Sequence, residues 1–136
     1  MKLITHVSKC DFTKLLEEAQ ELEYWLDGSS ARMAVTQSGG IPDPLLKYKE
    51  IMRAVQEIAD IRKTPAYNIM INSMDPETSL PKHRDWIKAT THQKDKPIVE
   101  RWHLPILTNS GCRWWGEKTG FVPMKQGIWY GPMPYW

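Results

Sequence analysis

His83 and Asp85 stand two residues apart in Leu80-Pro81-Lys82-His83-Arg84-Asp85-Trp86, and this pairing of an imidazole with a carboxylate is the chain's most chemically suggestive feature. In an extended segment successive side chains alternate faces, so both would point the same way while Arg84 points the other. That makes a two-pronged metal chelate from one short strand. An imidazole nitrogen and a carboxylate oxygen, joined by a further imidazole from elsewhere, form the set that holds ferrous iron on one face and leaves positions open for substrate and oxygen. His-x-Asp alone is a common tripeptide that also suits a solvated turn, so its meaning depends on its surroundings.

A second polar pair lies downstream. In Ile98-Val99-Glu100-Arg101-Trp102-His103-Leu104-Pro105-Ile106-Leu107 alternation sorts Arg101, His103 and Pro105 to one side and Trp102, Leu104 and Ile106 to the other. This predicts a strand with one buried apolar face and an opposite face carrying a cation and an imidazole. If both polar pairs line one cavity, the first could bind a metal and the second an organic acid, since a guanidinium fork matches a carboxylate in a bidentate way. An exposed sheet face with ordinary surface charges is the alternative. His6 and His92 are placed by no strand pattern, so His103 is the better third metal ligand if its strand neighbours that of His83 and Asp85.

The elements that must position these residues follow from periodicity. Phe12, Leu15, Leu16, Ala19, Leu22 and Leu26 recur at helical spacing after Ser8 or Asp11 as an N-cap. Asp27-Gly28-Ser29-Ser30 breaks that helix, and Arg32 to Gln37 reads as a short strand ending at Gly39-Gly40. A second helix is predicted with Asp43 as cap and Pro44 at its first position, carrying Leu45, Tyr48, Ile51, Met52, Val55, Ile58 and Ala59. Arg62-Lys63 suit its carbonyl end, and Thr64-Pro65 stops it. Beyond Pro65 alternation replaces the helical period: Tyr67, Ile69 and Ile71 oppose Asn68, Met70, Asn72 and Met74. Asp75-Pro76-Glu77 is a turn, and Lys88 to Lys96 is a polar loop. Short strands are expected around Cys112 to Trp115, Phe121 to Met124 and Gln126 to Tyr130.

At 136 residues the chain is expected to form one domain, helical over 1–65 and β-rich over 66–136. Helices first and short strands after indicate an α+β fold whose β part is a sandwich or small barrel. A net charge of +2 argues against a nucleic-acid partner, although Lys82, Arg84, Lys88, Lys94, Lys96 and Arg101 would favour an anionic ligand. No stretch is long and apolar enough to span a membrane. The two cysteines form no CxxC pattern, and a reducing, cytoplasmic setting is expected.

The run Asn72-Ser73-Met74-Asp75-Pro76-Glu77-Thr78-Ser79-Leu80-Pro81-Lys82-His83-Arg84-Asp85, followed by Arg101-Trp102-His103-Leu104-Pro105 and Thr108-Asn109, resembles the aspartyl/asparaginyl β-hydroxylase family of Fe(II)- and 2-oxoglutarate-dependent dioxygenases. The resemblance covers roughly the second half of the chain, and two linked motifs in order are more specific than either alone. It implies a double-stranded β-helix, a cupin-like jelly roll with N-terminal helices packed outside. It also implies that His83 and Asp85 bind iron, that Arg101 and His103 contact 2-oxoglutarate near its metal-binding end, and that Asn72 helps hold the far carboxylate. The activity implied is oxidative: O2 decarboxylates the cosubstrate, and a C–H bond of a peptidyl aspartyl/asparaginyl-type or small-molecule substrate is hydroxylated. Trp86, Trp102, Trp114, Trp115 and Trp129 could wall the pocket, most of them more simply as core residues.

The family takes its second iron-binding histidine from just beyond the strand that Gly127 to Tyr130 resembles, and shortly after it an arginine that grips the far carboxylate. The sequence ends at Trp136, after apolar Pro132-Met133-Pro134-Tyr135-Trp136, before either residue appears. A chain clipped before its last strands is the expectation, with two iron ligands and weakened metal binding. Two other readings stay open: a non-catalytic jelly-roll binding or structural module derived from the family, and a metal-binding cupin without 2-oxoglutarate. His83-Arg84-Asp85 also matches the catalytic loop of protein kinases, but the asparagine of that loop is absent and no glycine-rich phosphate loop precedes it. The substrate and oligomeric state are not specified by the sequence.

Overall fold

The computed structural model describes residues 3–22, 26–27, 31–35, 47–64, 69–74, 77, 79 and 101–133. Among them the order is β1 (Ile4–Val7), α1 (Phe12–Glu21), β2 (Leu26–Asp27), β3 (Ala31–Val35), α2 (Lys49–Arg62), β4 (Met70–Met74), β5 (Arg101–His103), β6 (Arg113–Gly116), β7 (Gly120–Pro123) and β8 (Ile128–Met133). All the strand pairings are antiparallel. The chain gathers into two compact units, one formed by Met1–Phe12 with Lys82–Trp136, the other by Thr13–Pro81. The strand after the second helix therefore groups with the helices rather than with the later strands.

In the Thr13–Pro81 unit α1 buries Leu15 and Ala19, with Leu22 buried just past its end, so the predicted apolar stripe is present. The helix stops at Glu21, short of the expected Leu26, which instead enters β2. The second helix also differs from expectation. Lys47 and Tyr48 are not helical, α2 starts at Lys49, and the expected cap Asp43-Pro44 lies outside the described residues. A tyrosine has no side-chain oxygen within reach of the first amides, and Tyr48 makes no capping bond. Glu18 of α1 substitutes for it. Its carboxylate accepts hydrogen bonds from the Glu50 amide at 2.9 and 3.0 Å and from the Ile51 amide at 3.0 Å. These are the N2 and N3 donors that a local cap would satisfy, and the negative charge suits the positive end of the helix. Tyr48 instead donates its hydroxyl to the carbonyl of Glu21 at 3.0 Å, a second tie to α1.

At its C-terminus α2 closes on Lys63 in the left-handed conformation, φ 55°. Thr64 N–H reaches the Ala59 carbonyl at 3.1 Å and Lys63 N–H the Asp60 carbonyl at 3.3 Å, the double closure usually built on glycine. The remaining sheet of this unit runs β2-β3-β4, with Ala31 opposite Met74 and Val35 opposite Met70.

In the other unit β8 is the centre of a sheet ordered β1-β8-β5. Ile4 to Val7 pair with Gly131 to Ile128 in register. Gly127, at φ 82°, ties both flanks to the entrance of β8: its carbonyl accepts from Ser8 N–H at 2.8 Å, and its own N–H donates to the Pro105 carbonyl at 3.0 Å. Strands β6 and β7 form a hairpin, Arg113 opposite Pro123 and Gly116 opposite Gly120. Its inner face packs on the sheet, where Val122 and Tyr130 are buried with Leu3, Trp114, Met124 and Ile128 against them. The Tyr130 hydroxyl accepts from the Lys125 amide at 2.9 Å, so the polar end of this core residue is satisfied.

Candidate functional site

Of the predicted site residues, Arg101 and His103 lie at the two ends of β5, where strand alternation assigns both to one side. The strand is shorter than expected: Leu104 to Leu107 leave it, and residues 98–100 lie outside the described residues. The expected contrast between a buried apolar face and a polar one is also absent, because Arg101, Trp102, His103, Leu104, Pro105 and Ile106 are all half-buried. With sheet and hairpin layered in this unit, both sides of β5 have neighbours.

The pairing of β5 with β8 carries an irregularity at this point. Arg101 sits opposite Met133 and His103 opposite Tyr130, so β8 uses one residue more than β5 over the same span. Pro132 lies in the extra length and cannot donate a ladder hydrogen bond, which is where a sheet tolerates proline. Such bulges re-aim neighbouring side chains.

Trp102 holds the other side. A Cβ on Gly131 would stand 2.5 Å from the Trp102 ring and 2.9 Å from the Arg101 carbonyl oxygen, so glycine alone allows this approach. The His6 ring lies beside the same indole, centroids 5.7 Å apart, and His6 faces Trp129 across the β1-β8 ladder. His6 is therefore held by a strand after all, contrary to the sequence expectation; its Nε2 is buried with no hydrogen-bond partner among the described residues. The run Ile4-Thr5-His6-Val7, three of its four residues β-branched, is the signal that could have found it. On the Arg101 and His103 side, the His103 ring tilts toward Trp114 of the hairpin, centroids 6.4 Å apart. Trp129 is buried and Trp114 and Trp115 are half-buried; Trp86 lies outside the described residues.

Asn72 is exposed on β4 in the Thr13–Pro81 unit. His83 and Asp85, and the polar loop from Lys88 to Lys96, lie outside the described residues. Among the described residues no three His, Cys, Asp or Glu side chains gather into a metal-holding group. The described residues form a mixed α/β arrangement of two helices and small antiparallel sheets. Neither cysteine forms a disulfide; Cys10 is buried and Cys112 half-buried. Among the described residues no helix is long and apolar enough to cross a membrane.

Comparison with protein-family models, with curated proteins and with solved structures gave no match.

Proposed function

We propose that this chain carries the cosubstrate side of an Fe(II)- and 2-oxoglutarate-dependent oxygenase, with the double-stranded β-helix as its framework. The observation that supports the reading is the shared side of Arg101 and His103 on β5, half-buried and with His103 against Trp114. A guanidinium fork beside an imidazole in a partly dry setting fits an organic dicarboxylate, because removal from bulk water strengthens the charge-assisted hydrogen bonds that hold it. In this reading His83 and Asp85 hold the iron, and Arg101 and His103 orient 2-oxoglutarate. Bound iron would supply the coupling of 2-oxoglutarate decarboxylation by O2 to hydroxylation of a substrate C–H bond, on a peptidyl aspartyl/asparaginyl-type residue or a small molecule. The protein's own part is to fix the acid's carboxylate and exclude water around it. Of the described histidines, His103 is the alternative third iron ligand, if its strand neighbours that of His83 and Asp85. Two cysteines outside any disulfide agree with a cytoplasmic setting.

A calorimetric titration of the chain with 2-oxoglutarate in the presence of Mn(II) tests this. Saturable binding that weakens about tenfold or more in Arg101→Leu is expected, the loss of one charge-assisted bidentate contact. Equal binding by wild type and Arg101→Leu would remove Arg101 from the site.

The non-catalytic binding module is favoured by one observation, the exposure of Val7, Leu107 and Phe121 on the same unit. Retention of partner binding with no affinity for metal or 2-oxoglutarate would select it.

A further inference from the structure

The β6-β7 hairpin has two faces of opposite character. Trp114 and Val122 point inward to the core, and alternation therefore sends Arg113, Trp115, Phe121 and Pro123 outward. Arg113, Phe121 and Pro123 are exposed, and Phe121 keeps 56% of its surface open. The Arg113 guanidinium lies over the Phe121 ring, 4.1 Å from its centroid. Stacking occupies the flat face of a guanidinium and leaves its in-plane N–H donors directed outward. Among the described residues no carboxylate pairs with Arg113. Exposed Lys125 follows one step past Met124, whose amide continues the ladder to the Cys112 carbonyl at 3.0 Å. The outward strand positions and Lys125 thus present two cations, two aromatic rings and a proline, and the hairpin's one carboxylate, exposed Glu117, lies in its turn.

We propose that this face docks an acidic polypeptide segment, with a carboxylate held by the Arg113 fork and an apolar side chain laid on Phe121 and Pro123. An arginine pinned on a ring has already lost much of its freedom, so little more is lost when a carboxylate binds. Charge complementarity chooses the partner: two cations match a few carboxylates, whereas a nucleic-acid strand needs a longer run of phosphate contacts. The proposal stands independently of the oxygenase reading, since none of these residues belongs to the cosubstrate or metal set.

The test titrates the whole chain with a labelled peptide rich in Asp and Glu around one leucine, against a scrambled Lys-rich peptide and a single-stranded oligonucleotide. Arg113→Glu is compared with Lys49→Glu, an equal charge change on an exposed position of α2. Saturable binding of the acidic peptide, weakened about tenfold by Arg113→Glu and little changed by Lys49→Glu, is expected. Near-UV circular dichroism confirms that each variant is folded, and Arg113→Lys, which keeps charge but loses the fork, serves if Arg113→Glu is not. No binding, an equal loss in both glutamate variants, unchanged binding by Arg113→Lys where that variant serves, or tighter binding of the oligonucleotide would each overturn the proposal.

Discussion

Each of the two units of this molecule is held by its own kind of internal contact. In the Thr13–Pro81 unit two helices, each predictable from its own apolar period, are tied by a few polar bonds from Glu18 and Tyr48. In the other unit the central sheet depends on distant partners: β8 is its centre because β1, from the far end of the sequence, and β5 both pair with it. The difference teaches that the candidate site rests on long-range pairing. Arg101 and His103 share a side by strand alternation, and the strand that carries them is held in place by its pairing with β8 and by Trp102 seated on Gly131.

Truncation of Leu15, 1% exposed, should have the largest effect. Leu15→Ala is expected to cost about 3 kcal/mol through lost burial and a cavity, read as a shift in the urea midpoint, with amide exchange rising first in α1 and α2. Gly131→Ala comes next. The added methyl must displace the Trp102 ring or β5 itself, an overpacking cost of about 2 kcal/mol. Faster exchange at β5 and β8 is expected, together with weaker 2-oxoglutarate binding. If exchange rises and binding is unchanged, the Trp102 contact does not position Arg101.

Glu18→Ala should cost about 1 to 2 kcal/mol, because two amides at the start of α2 lose their acceptor. Glu18→Gln keeps an acceptor and should recover part of that loss in the same denaturation assay. The smallest effect has the opposite sign. Lys63→Gly should stabilise by about 0.5 to 1 kcal/mol, since glycine adopts φ 55° without a Cβ penalty.

The same contrast explains what the sequence made legible. Helical period located α1 and α2, and alternation with turn residues located β3, β6, β7 and the start of β8, because those signals are local. The start of α2 was not legible, since its cap comes from Glu18 rather than from a neighbouring residue. Strand β1 is not legible in the sequence because its four residues acquire meaning only beside Gly131 to Ile128. At the site, spacing did put Arg101 and His103 on one side, a property of any strand. The bulge opposite them and the close approach of Trp102 to Gly131 depend on two strands at once, so no single stretch could announce them.

The most direct measurement is an anaerobic titration of the chain with Fe(II) and 2-oxoglutarate. The account predicts the weak visible charge-transfer band of the iron and 2-oxoglutarate pair, lost in His83→Ala and Asp85→Ala. No band, or an equal band in both variants, would contradict it.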